Sequence, residues 1–409
     1  MYKRQTLREK IAQLSHLHGY QLYNGQEVDY QKLRDAAGDI SYGCIEGFNL
    51  TGENVRKAFH AIQKYMVEET RLGIPVFTVT ESLHGSVHDG STIFPQSVAV
   101  GSTFNLDLAY QMTKAIATEL RSQGVIQTLS PGLDVVRDLR WGRVEESFGE
   151  DPWLVGQMGI AQVKGYIDGG ISPMLKPFGP GGAPLGGLNL ASVESGERDI
   201  RNIHIKPYEM AVRNTEVKAV MTSYNSWNGI PNSASSYLLT NILRNEWGFK
   251  GYVVSDSEAV EFLHTKHRIT PTEEEMAAQV VNAGLNIRTN FTPPQDFILP
   301  LRRAIDEGKV SLHTLDQRVS EILRVKFMMG LFDNPYPGDD RRPETVVHND
   351  AHKAVSMKAA LESVVLLKNK NQMLPLSKNF KKIAVIGPNA EEVKELTCRY
   401  GPALSLIHI

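Results

Sequence analysis

Residues 251–256 (GYVVSD) carry the pattern on which the fold depends. The run is rich in aromatic and β-branched residues, which favours a strand, and it stops at a charged residue before a helical pattern begins. Five other segments have the same form, an apolar run that stops at or just before a polar residue. They are residues 74–80, 124–130, 172–175, 217–223 and 283–287.

Helical patterns lie between these runs, over residues 106–122, 153–165, 207–215 and 273–282. The spacing leaves room for the roughly 30 residues that one strand–helix–strand unit needs. Strands that alternate with helices form a parallel sheet, which places the chain in the α/β class. Because so many units precede any clear break, the sequence predicts a (β/α)8 TIM-like barrel and not a doubly wound sheet.

The break falls at residues 334–349 (NPYPGDDRRPETVVHN), which are rich in proline and charge. We expect a barrel domain over residues 6–333, a linker over 334–380 that contains a helix at 350–362, and the truncated start of an α/β sandwich domain over 381–403. Residues 381–387 (KKIAVIG) predict its first strand. Residues 1–5 and 404–409 read as translated ends of a sequencing transposon, so we expect them to be adapter-derived.

Composition excludes several classes of protein. The 409 residues are 41% hydrophobic and 22% charged, which excludes disordered and fibrous chains. The 44 Lys and Arg residues against 46 Asp and Glu give a net charge of −2, so the charge balance offers no reason for a nucleic-acid or membrane partner. Two cysteines, Cys44 and Cys398, exclude a disulfide framework, and no apolar run approaches the length of a membrane span.

In a (β/α)8 barrel the functional site lies where the strands end. The polar residues at the ends of the runs are therefore the candidate site residues: Glu81, Asp134, Lys176, Tyr224 and Asp256. Carboxylates, an amine and a phenol in one mouth suit a polyhydroxylated ligand, because each hydroxyl both donates and accepts hydrogen bonds.

Three of the candidates have a structural alternative. Glu81 would also serve to open a loop over residues 83–85. Asp256 would also serve as the N-cap of a following helix, and Lys176 as a solvated lysine at the rim. His84 and His88 have a spacing that metal ligands use, but Gly85 lies between them and makes a helix a poor expectation there. We expect no metal site and no organic cofactor.

Across nearly its whole length the chain resembles glycoside hydrolase family 3, the β-glucosidases and β-xylosidases. The resemblance rests on motifs that occur in order along the chain. They are ESLHG at 81–85, FPQ at 94–96, RDLRWGR at 137–143, GEDP at 149–152, GER at 196–198, MTSYN at 221–225, EWGFKG at 246–251, VSD at 254–256, VLLKN at 365–369 and LPL at 374–376.

The resemblance implies a role for each site residue. Asp256 matches the catalytic nucleophile of the family. Glu81, Arg143 and Lys176 match residues that hold the terminal sugar, Tyr224 one that stands beside the nucleophile, and Met221 one that lines the site. A retaining glycosidase uses two carboxyl groups about 5–5.5 Å apart, one that attacks and one that donates a proton.

The chain departs from the family at Pro177 and Gly181, which replace two histidines of the family's Lys-His motif region. Proline cannot donate a hydrogen bond, so we expect a weakened sugar subsite. The family's Lys-His peptide bond is typically cis, and we expect Pro177 to keep that backbone path. Residues 186–192 (GGLNLAS) also lack the Asp-Ser-His triplet that some members use as acid/base.

The sequence therefore predicts an exo-acting retaining β-glycosidase that releases terminal non-reducing β-D-glucosyl or β-D-xylosyl residues from oligosaccharides or aryl β-glycosides. β-Glucosidase is the favoured label, although Glu81 is longer than the aspartate common in glucosidases and favours pentoses. We expect this fragment to lack the acid/base and to be inactive by itself. The alternatives are a degenerate sugar-binding relative, and a lyase or aldolase in which Lys176 forms a Schiff base.

Overall fold

Seven parallel strands form one curved sheet in this computed structural model, which describes residues 2–47, 50–336, 338, 342–387 and 390. The order of strands in the sheet follows their order along the chain, as in a barrel built from successive strand–helix units. The strands are β1 (His16–His18), β2 (Cys44–Glu46), β3 (Phe77–Thr80), β4 (Gln127–Thr128), β5 (Ser172–Phe178), β6 (Ala219–Thr222) and β7 (Tyr252–Ser255).

An eighth segment, residues 285–288, closes the sheet into a barrel. Ile287 bridges Val254 of β7, and the next residue, Arg288, bridges Ser15 just before β1. The N–H of Ser255 donates to the carbonyl of Ile287 at 2.9 Å, so the segment is hydrogen-bonded like a strand. The predicted (β/α)8 TIM-like barrel is therefore confirmed.

Two strands were not predicted from sequence. β1 and β2 have only three residues each, too short for an alternating pattern to appear. β5 is longer than predicted, since it continues through Lys176 to Phe178. The predicted run at 283–287 begins too early, because Ala283 still belongs to a helix that ends at Gly284 with a positive φ of 123°.

Helices cover the outside of the barrel, and the predicted helices at 106–122 and 350–362 have the expected bounds. The main helices are Leu7–Gln13, Tyr30–Ala37, Gly52–Lys64, Ser97–Gly101, Leu106–Ser122, Pro152–Asp168, Lys206–Asn214, Phe262–Thr265, Glu273–Ala283, Gln295–Asp306, Leu312–Met328, Pro343–Val346 and Asp350–Glu362, with π-helical turns at Tyr65–Glu69, Ile200–His204 and Tyr237–Glu246. Among these described helices, none is both long enough and apolar enough to cross a membrane.

Local sequence explains how two of these helices begin and pack. Asn105 caps Leu106–Ser122 by accepting from the N–H of Leu108 at 3.0 Å. The next helix, Pro152–Asp168, approaches it so closely that a Cβ at Gly165 would lie 2.2 Å from the hydroxyl oxygen of Thr113. Glycine at that position allows the two helices to pack side by side over the sheet.

The helix Asp350–Glu362 docks on the barrel through a buried carboxylate. Glu119, which is 1% exposed, accepts from the hydroxyl of Thr92 at 2.6 Å and lies 2.7 Å from Nδ1 of His352. The hydroxyl of Ser356 donates to the carbonyl of Ile93 at 2.6 Å. These contacts fix where the chain leaves the barrel.

The predicted strand at residues 381–387 is wrong for the structure as described, in which these residues form no strand. Ile383 is 74% exposed and Ile386 is 91% exposed. A strand needs a neighbour for its backbone groups, and the described part of the chain offers none there. Residues 391–403 and the expected adapter residues 404–409 lie outside the described residues.

Candidate active site

Polar side chains meet at the carboxyl end of the barrel. Glu81 follows β3 directly, Lys176 lies within β5, Tyr224 comes two residues after β6, and Asp256 follows β7. The N–H of Asp256 donates to the carbonyl of Thr222 at 3.2 Å, which ties the end of β7 to β6. Parallel strands bring their ends to one edge, so the position predicted for these residues follows from the fold.

Glu81 and Lys176 form a buried ion pair. Nζ of Lys176 lies 2.5 Å from Oε1 of Glu81, and the side chains are 3% and 15% exposed. Burial raises the pKa of Glu81, while the Lys176 cation opposes that rise. Oε2 of Glu81 is buried and has no hydrogen-bond partner among the described residues. The pair therefore presents one carboxylate oxygen that a ligand hydroxyl can satisfy.

Asp256 lies where four groups favour its charged form. It is 9% exposed, and burial raises the pKa of its carboxyl. Against burial act the Arg143 and Lys176 cations, a hydrogen bond with Tyr224, and the Ser257 N–H, which donates to Oδ1 at 2.9 Å. A buried carboxylate with cations and a phenol around it suits a nucleophile.

The N-cap alternative for Asp256 does not describe the structure. The helix that follows, Phe262–Thr265, begins several residues later, and its N-cap is Glu261. Asp256 instead opens a turn in which its Oδ1 accepts from the N–H of Ser257 and its backbone carbonyl accepts from the N–H of Ala259.

Arg143 is held in one orientation by Glu146. Nε donates to Oε1 at 2.8 Å and Nη2 to Oε2 at 2.7 Å, and both side chains are buried. Such a bidentate pair fixes the plane of the guanidinium group. Sequence reasoning did not single out Glu146, although its spacing of three residues from Arg143 is typical of such pairs.

Met221 is 3% exposed within β6, and its register partner in β7 is Val254, two residues before Asp256. Its predicted role in lining the site stays a prediction.

Two further carboxyls lie near the cluster, Asp134, which is buried, and Glu46, which is half-buried. Burial raises the pKa of Asp134 to about 7, with Arg143 opposing, and burial raises the pKa of Glu46 to about 8, with nearby Glu81 adding to the effect. Asp134 was a strand-end candidate without an assigned role. Glu46 was missed, because it ends the unpredicted strand β2. The site therefore holds several carboxyl groups whose pKa burial raises, which disfavours the ionised form.

The unusual residues Pro177 and Gly181 have distinct surroundings. A Cβ at Gly181 would lie 2.4 Å from Oδ1 of Asp134, so a side chain there would displace that carboxylate. Pro177 is buried in β5, and its carbonyl accepts from the hydroxyl of Tyr208 at 2.7 Å. The cis peptide bonds among the described residues precede Pro131 and Pro375. The expected cis path at Pro177 is therefore wrong, since the chain continues there as extended β5.

His84 and His88 are both buried. Nδ1 of His84 lies 3.0 Å from the carbonyl of Phe94, and the ring of His88 packs edge-on against Phe59. In the described part of the chain, no group of three or more His, Cys, Asp or Glu side chains is arranged to hold a metal ion.

Two family models match the chain. The model described as the Glycosyl hydrolase family 3 N terminal domain matches residues 6–325. The model described as the Glycosyl hydrolase family 3 C-terminal domain matches residues 364–405. The first match covers the whole barrel and every candidate site residue.

The chain is similar to curated proteins that include two from bacteria. A putative β-xylosidase of Formosa agariphila is 34% identical over 397 residues, which cover 94% of this chain and 52% of that protein. A periplasmic β-glucosidase of Salmonella typhimurium is 33% identical, over 97% of this chain and 50% of that protein. The chain thus spans about half the length of the curated relatives it matches.

A β-glucosidase from Listeria innocua has a similar structure. Its crystal structure matches with a TM-score of 0.83 and 31% identity, over 92% of this chain and 52% of that one. The same enzyme has been crystallised in complex with glucose, and that structure matches with a TM-score of 0.82.

Proposed function

This chain belongs to glycoside hydrolase family 3, and on that premise we propose that its barrel carries the sugar-binding site and the nucleophile of an exo-acting retaining β-glycosidase. The observation that carries the proposal is the environment of Asp256. Its buried carboxyl lies beside Tyr224 and within the field of Arg143 and Lys176.

In the proposed mechanism Asp256 attacks the anomeric carbon of the terminal sugar and forms a covalent glycosyl-enzyme intermediate as the glycosidic C–O bond breaks. The leaving group departs with a proton from an acid or, if it is a stable anion such as dinitrophenolate, without one. The attack needs the carboxylate form, which the two cations favour against the cost of burial. The Tyr224 hydroxyl donates to the carboxylate and orients it. Hydrolysis of the intermediate by water then releases one sugar with its configuration retained.

The Glu81–Lys176 pair is proposed to hold the hydroxyls of the terminal sugar. Lys176 supplies donors, and the unsatisfied Oε2 of Glu81 supplies an acceptor. Arg143, fixed by Glu146, adds a guanidinium group of constant orientation. These polar groups, gathered at one end of the barrel, suit the hydroxyls of a single terminal sugar, which supports the proposed exo-action.

We propose β-D-glucosides and β-D-xylosides as substrates, with β-glucosidase as the favoured label. The relatives include proteins named for each activity, the Salmonella typhimurium β-glucosidase and the Formosa agariphila putative β-xylosidase. The length of the Glu81 side chain favours the smaller pentose. The ratio of xyloside to glucoside affinity in Glu81→Asp, compared with the parent, tests this directly.

We propose that these 409 residues do not include the acid/base, since residues 186–192 lack the Asp-Ser-His triplet that some members of the family use. On this proposal they cleave glycosides slowly when the leaving group must be protonated. A dinitrophenyl leaving group departs without a proton donor. A dinitrophenyl glycoside therefore tests the nucleophile independently of the acid.

The test is labelling with 2,4-dinitrophenyl 2-deoxy-2-fluoro-β-glucoside, whose fluorine slows hydrolysis of the intermediate. We expect a covalent adduct in the intact mass, mapped to the peptide that contains Asp256. Asp256→Asn should form no adduct, whereas Asp306→Asn, a change at an exposed helix position, should label like the parent. Labelling elsewhere, or equal labelling of Asp256→Asn, would contradict the proposal.

A second candidate function, a sugar-binding relative without catalysis, is favoured by Pro177 in place of a sugar-binding histidine. The same experiment decides between the two. Binding of glucose or xylose in calorimetry together with no adduct would support the binding protein.

A further inference from the structure

The side chain of Glu46 points into the barrel beneath the proposed sugar site. The rings of Phe77 in β3 and Tyr252 in β7 stack with their centroids 5.2 Å apart, and since these strands are not neighbours in the sheet, both rings face the barrel interior. Val79 follows Phe77 by two residues and therefore also faces inward. Glu46 is the register partner of Val79, and partners in a parallel pair face the same way. Glu81, two residues after Val79, lies one step nearer the mouth of the barrel.

Hydrogen-bonding capacity is left over around this carboxyl. Among the described residues no hydrogen bond reaches the carboxyl of Glu46, whose side chain is 18% exposed. Its Oε2 lies 3.7 Å from Nε2 of His16, which is too far for a hydrogen bond. Nε2 of His16 is buried and has no hydrogen-bond partner among these residues either. Buried polar groups in folded proteins are normally satisfied, so this pair indicates a ligand above it.

The contacts of His16 favour the neutral form of Glu46. Nδ1 of His16 lies 3.2 Å from the carbonyl of Asn290, and because a carbonyl can only accept, Nδ1 donates. Burial lowers the pKa of His16 to about 3, so the ring is neutral and Nε2 keeps a lone pair, which faces Glu46. Burial also raises the pKa of Glu46, and nearby Glu81 adds to that rise, whereas Lys176 opposes it. At neutral pH Glu46 is therefore a carboxylic acid, which can donate a hydrogen bond.

We propose that Glu46 is a further substrate-binding residue, whose carboxylic acid donates a hydrogen bond to a hydroxyl of the terminal sugar. The inference rests on the proposed function, in which that sugar occupies the carboxyl end of the barrel. A neutral acid suits this place, because Asp256 and Glu81 already bring negative charge to the site and a third charge would repel both. Glu46 lies deeper than Glu81, on the side away from the outward leaving group, so we assign it no acid/base role.

The test is the affinity for glucose and xylose, measured by calorimetry at pH 6, 7, 8 and 9. Both are products of the proposed reaction, so binding is measured without turnover. Glu46→Gln keeps a neutral donor of similar shape and should bind both sugars within about twofold of the parent at pH 6 and 7. Glu46→Leu keeps the volume but cannot form the hydrogen bond, so it should bind them about three- to tenfold more weakly.

The pH profile separates a hydrogen bond from mere packing. As the pH rises from 7 to 9, through the pKa of about 8, Glu46 loses its proton and can no longer donate. The affinity of the parent should therefore fall about three- to tenfold further than that of Glu46→Gln. The other ionisable groups around Glu46 are the same in both proteins, so the difference between the two profiles reports Glu46 alone. These groups are His16, His18, Tyr20, Cys44, Glu81, Lys176 and Asp256.

The matched control is Glu216→Gln, the same exchange at an exposed residue just before β6, at the amino end of the barrel. Its affinities and its pH profile should match those of the parent. Urea midpoints at pH 7 show whether each variant is folded.

Parent-like affinity of folded Glu46→Leu at pH 6 and 7, or parallel profiles for the parent and Glu46→Gln, would overturn the role of Glu46. The labelling of Asp256 would still stand as evidence for the proposed function. A parent chain that binds neither sugar at any of these pH values would overturn the proposed sugar site, and the role of Glu46 with it.

Discussion

Two lysines are buried at opposite ends of the same barrel, and their partners differ. At the carboxyl end, Nζ of Lys176 lies 2.5 Å from a carboxylate oxygen of Glu81. At the amino end, Lys326 reaches in from helix Leu312–Met328. Its Nζ donates to Oε1 of Gln13 at 2.8 Å and to the carbonyl of Tyr42 at 3.1 Å.

The difference separates the end of the barrel where we propose the sugar site from an end whose contacts are structural. Lys326 has neutral partners and lies 5.3 Å from the ring centre of Phe77, and burial lowers its pKa to about 7. It fills and ties together the starts of three strands. Lys176 instead lies among carboxylates, and Oε2 of its partner Glu81 has no hydrogen bond. Charge pairing dominates at the end that holds Lys176, and packing dominates at the end that holds Lys326. We therefore expect substitution of Lys176 to change sugar binding and substitution of Lys326 to change stability.

Lys326→Ala should have the largest effect on stability. The change leaves a cavity and removes the donor from Gln13 and Tyr42, which together should lower the free energy of unfolding by about 2–4 kcal/mol. Urea unfolding measures this. Lys309→Ala, at a partly exposed surface pair, is the control and should cost less than about 1 kcal/mol. If Lys326→Ala instead lowered sugar affinity and left the free energy of unfolding unchanged, Lys326 would belong to the sugar site and the contrast between the two ends would be wrong.

Lys176→Met should act on binding. Loss of a charged donor to sugar hydroxyls should weaken glucose affinity by about tenfold or more, since hydrogen bonds to charged groups contribute about 1.5–3 kcal/mol. Calorimetric titration measures the effect. Together with Glu81→Gln and the double variant, Lys176→Met forms a double-mutant cycle for glucose binding. We expect the two changes to be strongly coupled, because the two side chains act as one pair. Additive losses would show that the pair does not act as a unit.

The raised pKa of Glu46 predicts a pH effect on stability. Between the unfolded pKa, about 4.3, and the folded value of about 8, the folded chain holds a proton that the unfolded chain has released. The contribution of Glu46 to the free energy of unfolding is therefore fully present at low pH. It falls as the pH rises towards 8, by up to about 1.4 kcal/mol per pH unit. Urea midpoints at pH 5.5, 6.5 and 7.5 should fall more steeply for the parent than for Glu46→Gln. Parallel lines for the two proteins would show that Glu46 does not titrate in this window.

The contrast between the two ends also explains what sequence could predict. Asp256 was identifiable because an apolar strand precedes it, and the barrel then dictates where it lies. Glu46 was not, because β2 is three residues long and has no visible period. The contact between His18 and Phe291 depends on barrel closure, which joins residues from the two ends of the domain. No local pattern carries that information.

Gly181 shows a further limit of prediction from the sequence. Sequence presents it as the loss of a histidine, but in the structure the carboxylate of Asp134 fills the space that a side chain would need. The two readings differ because a glycine's role depends on what approaches it, which only the folded chain shows.

Pro177→His should have the smallest effect. If the imidazole reaches the sugar, it adds one neutral hydrogen bond, worth about 1 kcal/mol, or about fivefold in glucose affinity. Pro177→Ala is the matched control, because it removes the ring but adds no donor, and it should give no gain. Since the Pro177 carbonyl already accepts from Tyr208, both variants should keep this tie between strand and helix and unfold within about 1 kcal/mol of the parent. Equal affinities for the His and Ala variants would mean that residue 177 lies out of reach of the sugar, and that Lys176 and Glu81 alone hold that side of the site.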